Sequence, residues 1–261
     1  MYLFTIEGNI GSGKSTFIEL LQKEFKHMNG VPVVYIPEPV EEWTTIQSKD
    51  GKNMIELFYE DKHKYAFSFQ MMAYISRLDY LRKMTEEYPN CILISERSLY
   101  ADYYVFAKML FEDGYISSEN YQIYQKWFHT FLTDIDVTGI IYLKTPATTC
   151  IERCGKRSRK GEENIPSEYI INCGNKHDDW IDNTIINSLV IEDNTIQEVD
   201  QLKKFIKDEL NCYKLSILTE DDMDNYMEDN YIFQIASVVC VIVIVFGYLA
   251  KVGVICYRIV N

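Results

Sequence analysis

Positive charge is what this sequence is short of. Lys and Arg number 26 against 39 Asp and Glu, a formal net charge of −13. So acidic a chain is not built to hold a nucleic acid by neutralising its phosphates, and that class of partner is excluded. Asn-x-Ser/Thr acceptor sites are absent as well. The seven cysteines are an odd number with no paired framework, which excludes a disulfide-stapled secreted scaffold and points to a reducing compartment. The opening MYLFTIEGN has no basic residue and meets Glu7 early, so no secretory signal is expected. No segment repeats internally. What is present, 47% hydrophobic and 25% charged residues over 261 positions, is a composition neither disordered nor fibrous, with enough chain for a substantial core. A cytosol-facing protein is expected.

Charge and apolar runs divide the chain into residues 1–210, an acidic linker 211–230, an apolar run 231–250 and a short tail 251–261. The first part carries −10, the linker −5 and the remainder +2. TEDDMDNYMEDN lacks apolar periodicity and reads as solvated. IFQIASVVCVIVIVFGYLA, residues 232–250, holds no formal charge. As a helix, at about 1.5 Å per residue, it would span about 30 Å, the hydrocarbon thickness of a bilayer. The competing reading is a buried β-branched strand, but strands run about five or six residues. A C-terminal membrane anchor is therefore expected. Lys251 and Arg258 alone would draw the tail to the cytoplasmic side, whereas the missing signal places the N-terminal part there.

Residues 1–210 alternate short apolar runs (2–6, 31–36, 91–95, 139–143, 188–192) with amphipathic segments (62–88, 99–132, 148–156, 167–183, 195–210). The first helical pattern, Phe17, Leu20, Leu21 and Phe25, is read as closing at Asn29-Gly30. Strand–helix alternation with strands apolar on both faces predicts an α/β fold, a five-stranded parallel sheet covered by helices.

GNIGSGKST at 8–16 matches G-x-x-x-x-G-K-[ST] and lies where the mechanism needs it, after the first strand and opening the first helix. Gly8, Asn9, Ile10, Gly11, Ser12, Gly13 and Thr16 would present backbone to phosphates. Lys14 would reach the β/γ-phosphates, and the Ser15 hydroxyl would ligate Mg²⁺. The P-loop NTPase type of sheet follows. PEPVEEW at 37–43 ends the second parallel strand with proline on both sides of Glu38, presenting a carboxylate at the sheet's carboxyl edge, where α/β folds bind ligands. SERS ends the third with Glu96 and Arg97. On the helix between them, Gln70, Ala73 and Arg77 share a face at i, i+3 and i+7. A buried glutamine needs partners for both amide ends, and a nucleobase edge supplies them. RCGKRSRK (153–160) packs five basic residues into eight positions of an acidic domain, fit for a lid that closes over transferring phosphates.

Together GNIGSGKST, EPVEEW, FSFQ…R, ERSLYAD and RCGKRSRKGEENIPSEYI…KHDDW resemble the deoxynucleoside kinase family over about residues 1–210. The resemblance implies a homodimer that phosphorylates a small-molecule deoxynucleoside at its 5′-hydroxyl in nucleotide salvage, with ATP as donor and Mg²⁺. It assigns Glu38 as general base and Arg97 as the hand on the attacking oxygen and incoming phosphoryl group, with Glu96 joining Ser15 at Mg²⁺. Tyr59 and Glu162 fall at the 3′-hydroxyl grip, Gln70 at the base edge, and Trp43, Phe69 and Phe106 at the pocket walls. Arg153, Arg157 and Arg159 match the lid arginines, Arg157 being placed with Lys14 among the catalytic groups. Ala73, Arg77 and Asp102 follow the deoxycytidine/deoxyguanosine kinase pattern, which implies deoxycytidine or purine deoxynucleosides as substrates.

The family's Pro-Glu after the fourth parallel strand reads KTPATTC here, with Thr148 where glutamate is expected, and the glutamates after the lid sit one place late. Three rival readings compete with this one. A GTPase could claim NKHD at 175–178 and DVTG at 136–139, but Asp136 precedes its strand and Asn175 falls within a helical pattern. A nucleoside-monophosphate kinase would need a second basic set for the acceptor phosphate, which Glu38 would repel. A catalytically silent, membrane-tethered nucleotide-binding protein would have no use for Lys14, Ser15, Glu38, Glu96 and Arg97 together.

Overall fold

The computed structural model describes residues 2–132, 135–157, 165–192 and 196–217. Five of its strands are parallel: β1 (Tyr2–Gly8), β3 (Val31–Ile36), β4 (Ile92–Glu96), β5 (Gly139–Leu143) and β6 (Ser188–Ile191). The two-residue β2 (His27–Met28) adds an antiparallel edge, giving the order β2-β3-β4-β1-β5-β6. The parallel five are those expected. β2 is a correction with a local cause: the first helix, α1 (Lys14–Glu24), ends well before Asn29-Gly30. Those two residues take φ of 51° and 81° and form the tight turn that folds β2 back on β3, not a helix stop.

β1, β4 and β5 are buried along almost their whole length, and β1 pairs in register with β4 on one side and β5 on the other. Such strands can be apolar on both faces because helices cover both. From β1 the chain winds outward to β3 and back to β4, then crosses to β5 and β6. The crevice at the carboxyl end of β1 is thus the switch point of the sheet.

The helices α8 (Ala147–Arg157), α9 (Ser167–Asn183) and α10 (Ile196–Ile217) lie close to the expected segments, as does the 26-residue α4 (Lys62–Glu87). The segment 99–132 is not one helix. It begins as α5 (Leu99–Ala101), widens into a π-turn over Asp102–Ala107 and continues as α6 (Lys108–Glu112). It breaks at Gly114, φ 79°, before α7 (Ser118–Phe131). Two short helices, α2 (Val40–Thr45) and α3 (Met54–Glu60), were not anticipated. Contacts group Met1–Glu209 as one compact unit and Leu210–Asn261 as another. α10 runs to Ile217, into the segment expected as linker, because the acidic cluster begins only at Glu220. Among the described residues no helix is long and apolar enough to cross a membrane. The 231–250 run and the 251–261 tail lie outside them, as does the acidic stretch from 218 to 230.

α3 owes its start to Asn53, whose side chain accepts from the N–H groups of Ile55 and Glu56, both at 3.0 Å, while Glu56 reaches back to the Asn53 N–H at 3.0 Å. That reciprocal cap satisfies donors that would otherwise be orphaned in a nearly buried turn. Asn53→Ala is expected to cost about 1 kcal/mol, hence to lower Tm by about 2–4 °C. Scanning calorimetry checks the figure.

Candidate active site

The loop after β1 is shaped by glycines that admit no side chain. A Cβ on Gly8 would lie 2.8 Å from the Leu143 carbonyl oxygen, and one on Gly11 would lie 2.5 Å from that of Cys150. Gly13, φ 93°, turns the chain into α1. Asn9 pins the loop from outside, its Nδ2 donating to the Ile170 carbonyl at 2.9 Å and its Oδ1 accepting from Ile10 N–H at 2.8 Å. Lys14 is buried and donates to the carbonyls of Gly8 (3.2 Å) and Asn9 (2.9 Å). Burial first, then the charge of Arg97, brings its pKa down to about 8. Backbone N–H groups and a lysine at a helix N-terminus make a polyphosphate cradle.

Ser15 stands exposed on the first turn of α1, and its hydroxyl donates to both carboxylate oxygens of Glu96 at 3.1 and 3.2 Å. A hydroxyl and a carboxylate in contact beside a phosphate cradle are the hard oxygen ligands Mg²⁺ takes. Such an ion would draw its remaining ligands from water and phosphate. Among the described residues no cluster of three or more His, Cys, Asp or Glu could hold a metal ion by itself. The residues present fit the ion.

The acidic end of the crevice is a shared ion-pair network. Pro37 and Pro39 deliver Glu38 from β3, and its Oε1 lies 3.0 Å from Arg77 Nη2 and 3.2 Å from Arg97 Nε. Burial would raise the Glu38 carboxyl, but Arg97, Arg77 and Lys14 outweigh it and hold it below its ordinary value. Arg77 is itself fastened three ways. Its Nε donates to Asp102 Oδ2 at 2.9 Å, its Nη1 to the Glu96 carbonyl at 3.0 Å and its Nη2 to Glu38. Burial lifts the Asp102 carboxyl above its ordinary value against the pull of Arg77. Arg97 has left-handed backbone, φ 68°, held where its N–H meets the Ile6 carbonyl at 3.1 Å and its own carbonyl accepts from Ser95 Oγ at 2.9 Å. Nonglycine residues in that region are strained and cluster at functional sites.

On the far side lies an aromatic box. Phe69 stacks on Phe58 (4.6 Å, 15°) and meets Trp43 edge-on (5.7 Å, 76°), while Trp43 Nε1 donates to Ser76 Oγ at 2.9 Å. Gln70 is 2% exposed, and its Oε1 has no hydrogen-bond partner among the described residues. A buried acceptor left open costs free energy unless something fills it, so this atom marks a ligand position. Gln70 and Ala73 line one cavity with Glu38, Lys14, Arg97, Tyr59, Asp102 and Phe106.

The structure thus gathers the expected base-pocket, sugar and phosphate residues into one crevice. Arg153 reaches the same loop, its Nη1 donating to the Ser12 carbonyl at 3.0 Å. The Arg157 side chain, Arg159 and Glu162 lie outside the described residues. Sequence reasoning missed Ile55, Phe58 and Tyr169, which also line the cavity. The Asn53-x-x-Glu56 capping box could have placed the first two on a helix. Tyr169, edge-on to Tyr59 at 6.3 Å, carries no comparable signal among twenty tyrosines. The direct Arg77–Glu38 contact was not foreseen either, nor was Glu7, wholly buried below the crevice. Burial there raises the Glu7 carboxyl against the pull of Ser98, Arg97 and Arg77.

Fold and site together define a P-loop phosphotransferase with an acceptor pocket beside its phosphate cradle. The family model described as deoxynucleoside kinase matches residues 4–220. Deoxycytidine kinase 2 of Gallus gallus is 38% identical over 197 residues, covering 68% of this chain and 72% of that protein. Deoxycytidine kinase of Homo sapiens is 33% identical over the same length, covering 68% and 74%. The mitochondrial deoxyguanosine kinase of Xenopus laevis is 31% identical over 196 residues, covering 68% and 72%. The chain belongs to the deoxynucleoside kinase family. It is accordingly an enzyme of nucleoside phosphorylation that uses ATP and Mg²⁺.

Arg77 is the residue most exposed to a simple test. Arg77→Met leaves Asp102 buried without its cation and is expected to cost about 3–5 kcal/mol. Adding Asp102→Asn to that background should recover part of the loss, because the two sites are coupled. Urea denaturation of the three proteins reads both numbers.

Proposed function

We propose that this enzyme transfers the γ-phosphoryl group of ATP to the 5′-hydroxyl of deoxycytidine or a purine deoxynucleoside. The observation that carries the reading is Glu38, a half-buried carboxylate held beside Lys14 and Arg97 at the mouth of a pocket whose floor is the open Gln70 acceptor. A base edge with a donor would satisfy Gln70 Oε1, and Phe69 and Phe106 offer flat apolar faces to its ring. Arg77 and Asp102 fill the corner near Ala73, leaving polar groups where a thymine would need space and apolar contact. The names of the relatives, deoxycytidine and deoxyguanosine kinases, agree with that preference. Tyr59 holds the 3′ side of the sugar together with Glu162.

The roles follow from charge. The glycine loop and Lys14 receive the β- and γ-phosphates. Mg²⁺, held through Ser15 and Glu96, neutralises charge on the phosphates when bound. Glu38 is ionised throughout the physiological range, so an acceptor for the hydroxyl proton is always in place. Its low basicity is no obstacle, because phosphoryl transfer passes through a loose transition state in which positioning matters more than base strength. Arg97 steadies the developing charge between the attacking oxygen and the phosphorus. Arg157 and Arg159 would add to the positive charge that Arg153 brings to the phosphate loop. An acceptor that already carried a phosphate would meet Glu38, which disfavours monophosphate substrates.

The 231–250 run is proposed to anchor a cytosol-facing catalytic domain to a membrane, on the strength of its uncharged length and the acidic stretch before it. A homodimer is proposed as well. Ile123 and Trp127, one turn apart on α7, are 47% and 37% exposed, and Ile75 on α4 is 46% exposed, an apolar surface of the kind a second copy covers.

Glu38→Gln is expected to lower kcat by about 10²- to 10⁴-fold with little change in KM. The sign of the pH effect is set by the depressed Glu38 pKa: activity is full above it and lost as pH falls through it. The acid limb of kcat/KM therefore lies below the ordinary glutamate value of 4.5, and Arg77→Met moves it upward. Radiolabelled phosphate transfer against four deoxynucleosides and four monophosphates checks both, and transfer to deoxythymidine alone would sink the substrate assignment. For the tail, carbonate extraction should leave the full chain in the membrane pellet and release residues 1–230. Light scattering of the released protein should give the mass of two copies.

A further inference from the structure

His177 sits on α9 with no exposure, and its ring is fixed on every side. Nδ1 lies 2.7 Å from the Cys173 carbonyl oxygen, which can only accept, so Nδ1 carries the proton. Nε2 is then bare, and its lone pair faces Arg97 Nη1 at 3.4 Å. Phe106 meets the imidazole edge-on (5.9 Å, 85°), Tyr142 lies parallel to it (6.1 Å, 4°), and the Arg97 guanidinium covers Phe106 at 4.8 Å. Burial, reinforced by the charge of Arg97, keeps the imidazole neutral and so keeps Nε2 an acceptor.

The donors of Arg97 can be counted. A guanidinium has five N–H groups. Nε faces Glu38, and one N–H of Nη1 goes to the Gly8 carbonyl at 2.9 Å. The other N–H of Nη1 points to His177. The two on Nη2 make no bond among the described residues and form the free edge of the group. Gly8 and His177 fix the rotation of the guanidinium about Nε, and with it the direction of Nη2.

We infer that His177 is a positioning residue for phosphoryl transfer: its bare Nε2 holds Arg97 so that the free edge of the guanidinium meets the transferring group. The inference rests on the kinase reading above and deepens it. A histidine kept only for packing would need volume at this place and a donor toward Cys173, but no acceptor toward Arg97.

Two substitutions separate these possibilities. Asn at 177 keeps an amide donor near Nδ1 and has no atom at Nε2, whereas Gln places a carbonyl oxygen near Nε2. His177→Asn should lower kcat by up to about 100-fold with both KM values close to wild type. His177→Gln should recover most of that loss even where its Tm is no higher. If kcat instead follows Tm in both variants, or if His177→Asn retains wild-type kcat, the positioning role is overturned. The wild type offers a check independent of either variant: ¹⁵N spectra of histidine-labelled protein should show Nδ1 protonated and Nε2 bare at neutral pH, and the opposite tautomer overturns the inference. A wild-type chain that phosphorylates no deoxynucleoside overturns the functional reading and this role with it.

Discussion

A carboxylate shared by two guanidinium groups is the constraint on which this site depends. Burying the Glu38 charge would cost several kcal/mol if it were left unpaired. Arg77 and Arg97 approach the same oxygen, at 3.0 and 3.2 Å, and make an ionised group tolerable in a half-buried position. The arrangement has requirements of its own. Two cations side by side repel, so Arg77 is in turn neutralised by Asp102 from the π-turn, and Arg97 is held by carbonyl dipoles and a neutral imidazole. Charge is balanced across strand ends, helix α4 and the turn after β4 rather than within any one element.

That balance joins the two halves of the site. Arg77 touches Asp102 on one side and Glu38 on the other, so whatever occupies the cavity they line acts on the residue that holds Glu38. One side chain thus couples the two carboxylates. The site is also built on rigid supports: β1, β4 and their turns are buried, and the cradle glycines leave no space for a side chain. Rigid placement suits a reaction in which catalysis is mostly orientation and electrostatics.

Much of the site was legible because its groups lie where strands end, and strand ends can be read from local patterns. Lys14, Glu38, Glu96 and Arg97 each follow a short apolar run, and any parallel sheet brings such positions to one edge. Gln70, Ala73 and Arg77 were legible because a helix imposes spacing. Phe58, Tyr169 and His177 were not, since their place in the crevice depends on how α3 and α9 pack, which no local period encodes. Reading Asn29-Gly30 as a helix stop failed for a related reason. The pair favours positive φ in either setting, and only the pairing of His27–Met28 with Val31–Pro32 decided that it turns a hairpin.

By itself the sequence determined the five parallel strands, the phosphate loop and the residue types available for transfer, because each follows from short-range sterics and from periodicity along a few residues. Tertiary structure alone decided that one carboxylate would be held by two arginines, that a π-turn would carry Asp102 to Arg77, and that a neutral histidine would stand behind Arg97. These are contacts between groups up to 80 residues apart, and their geometry is set by the packing of whole elements, which no neighbour in the chain can specify.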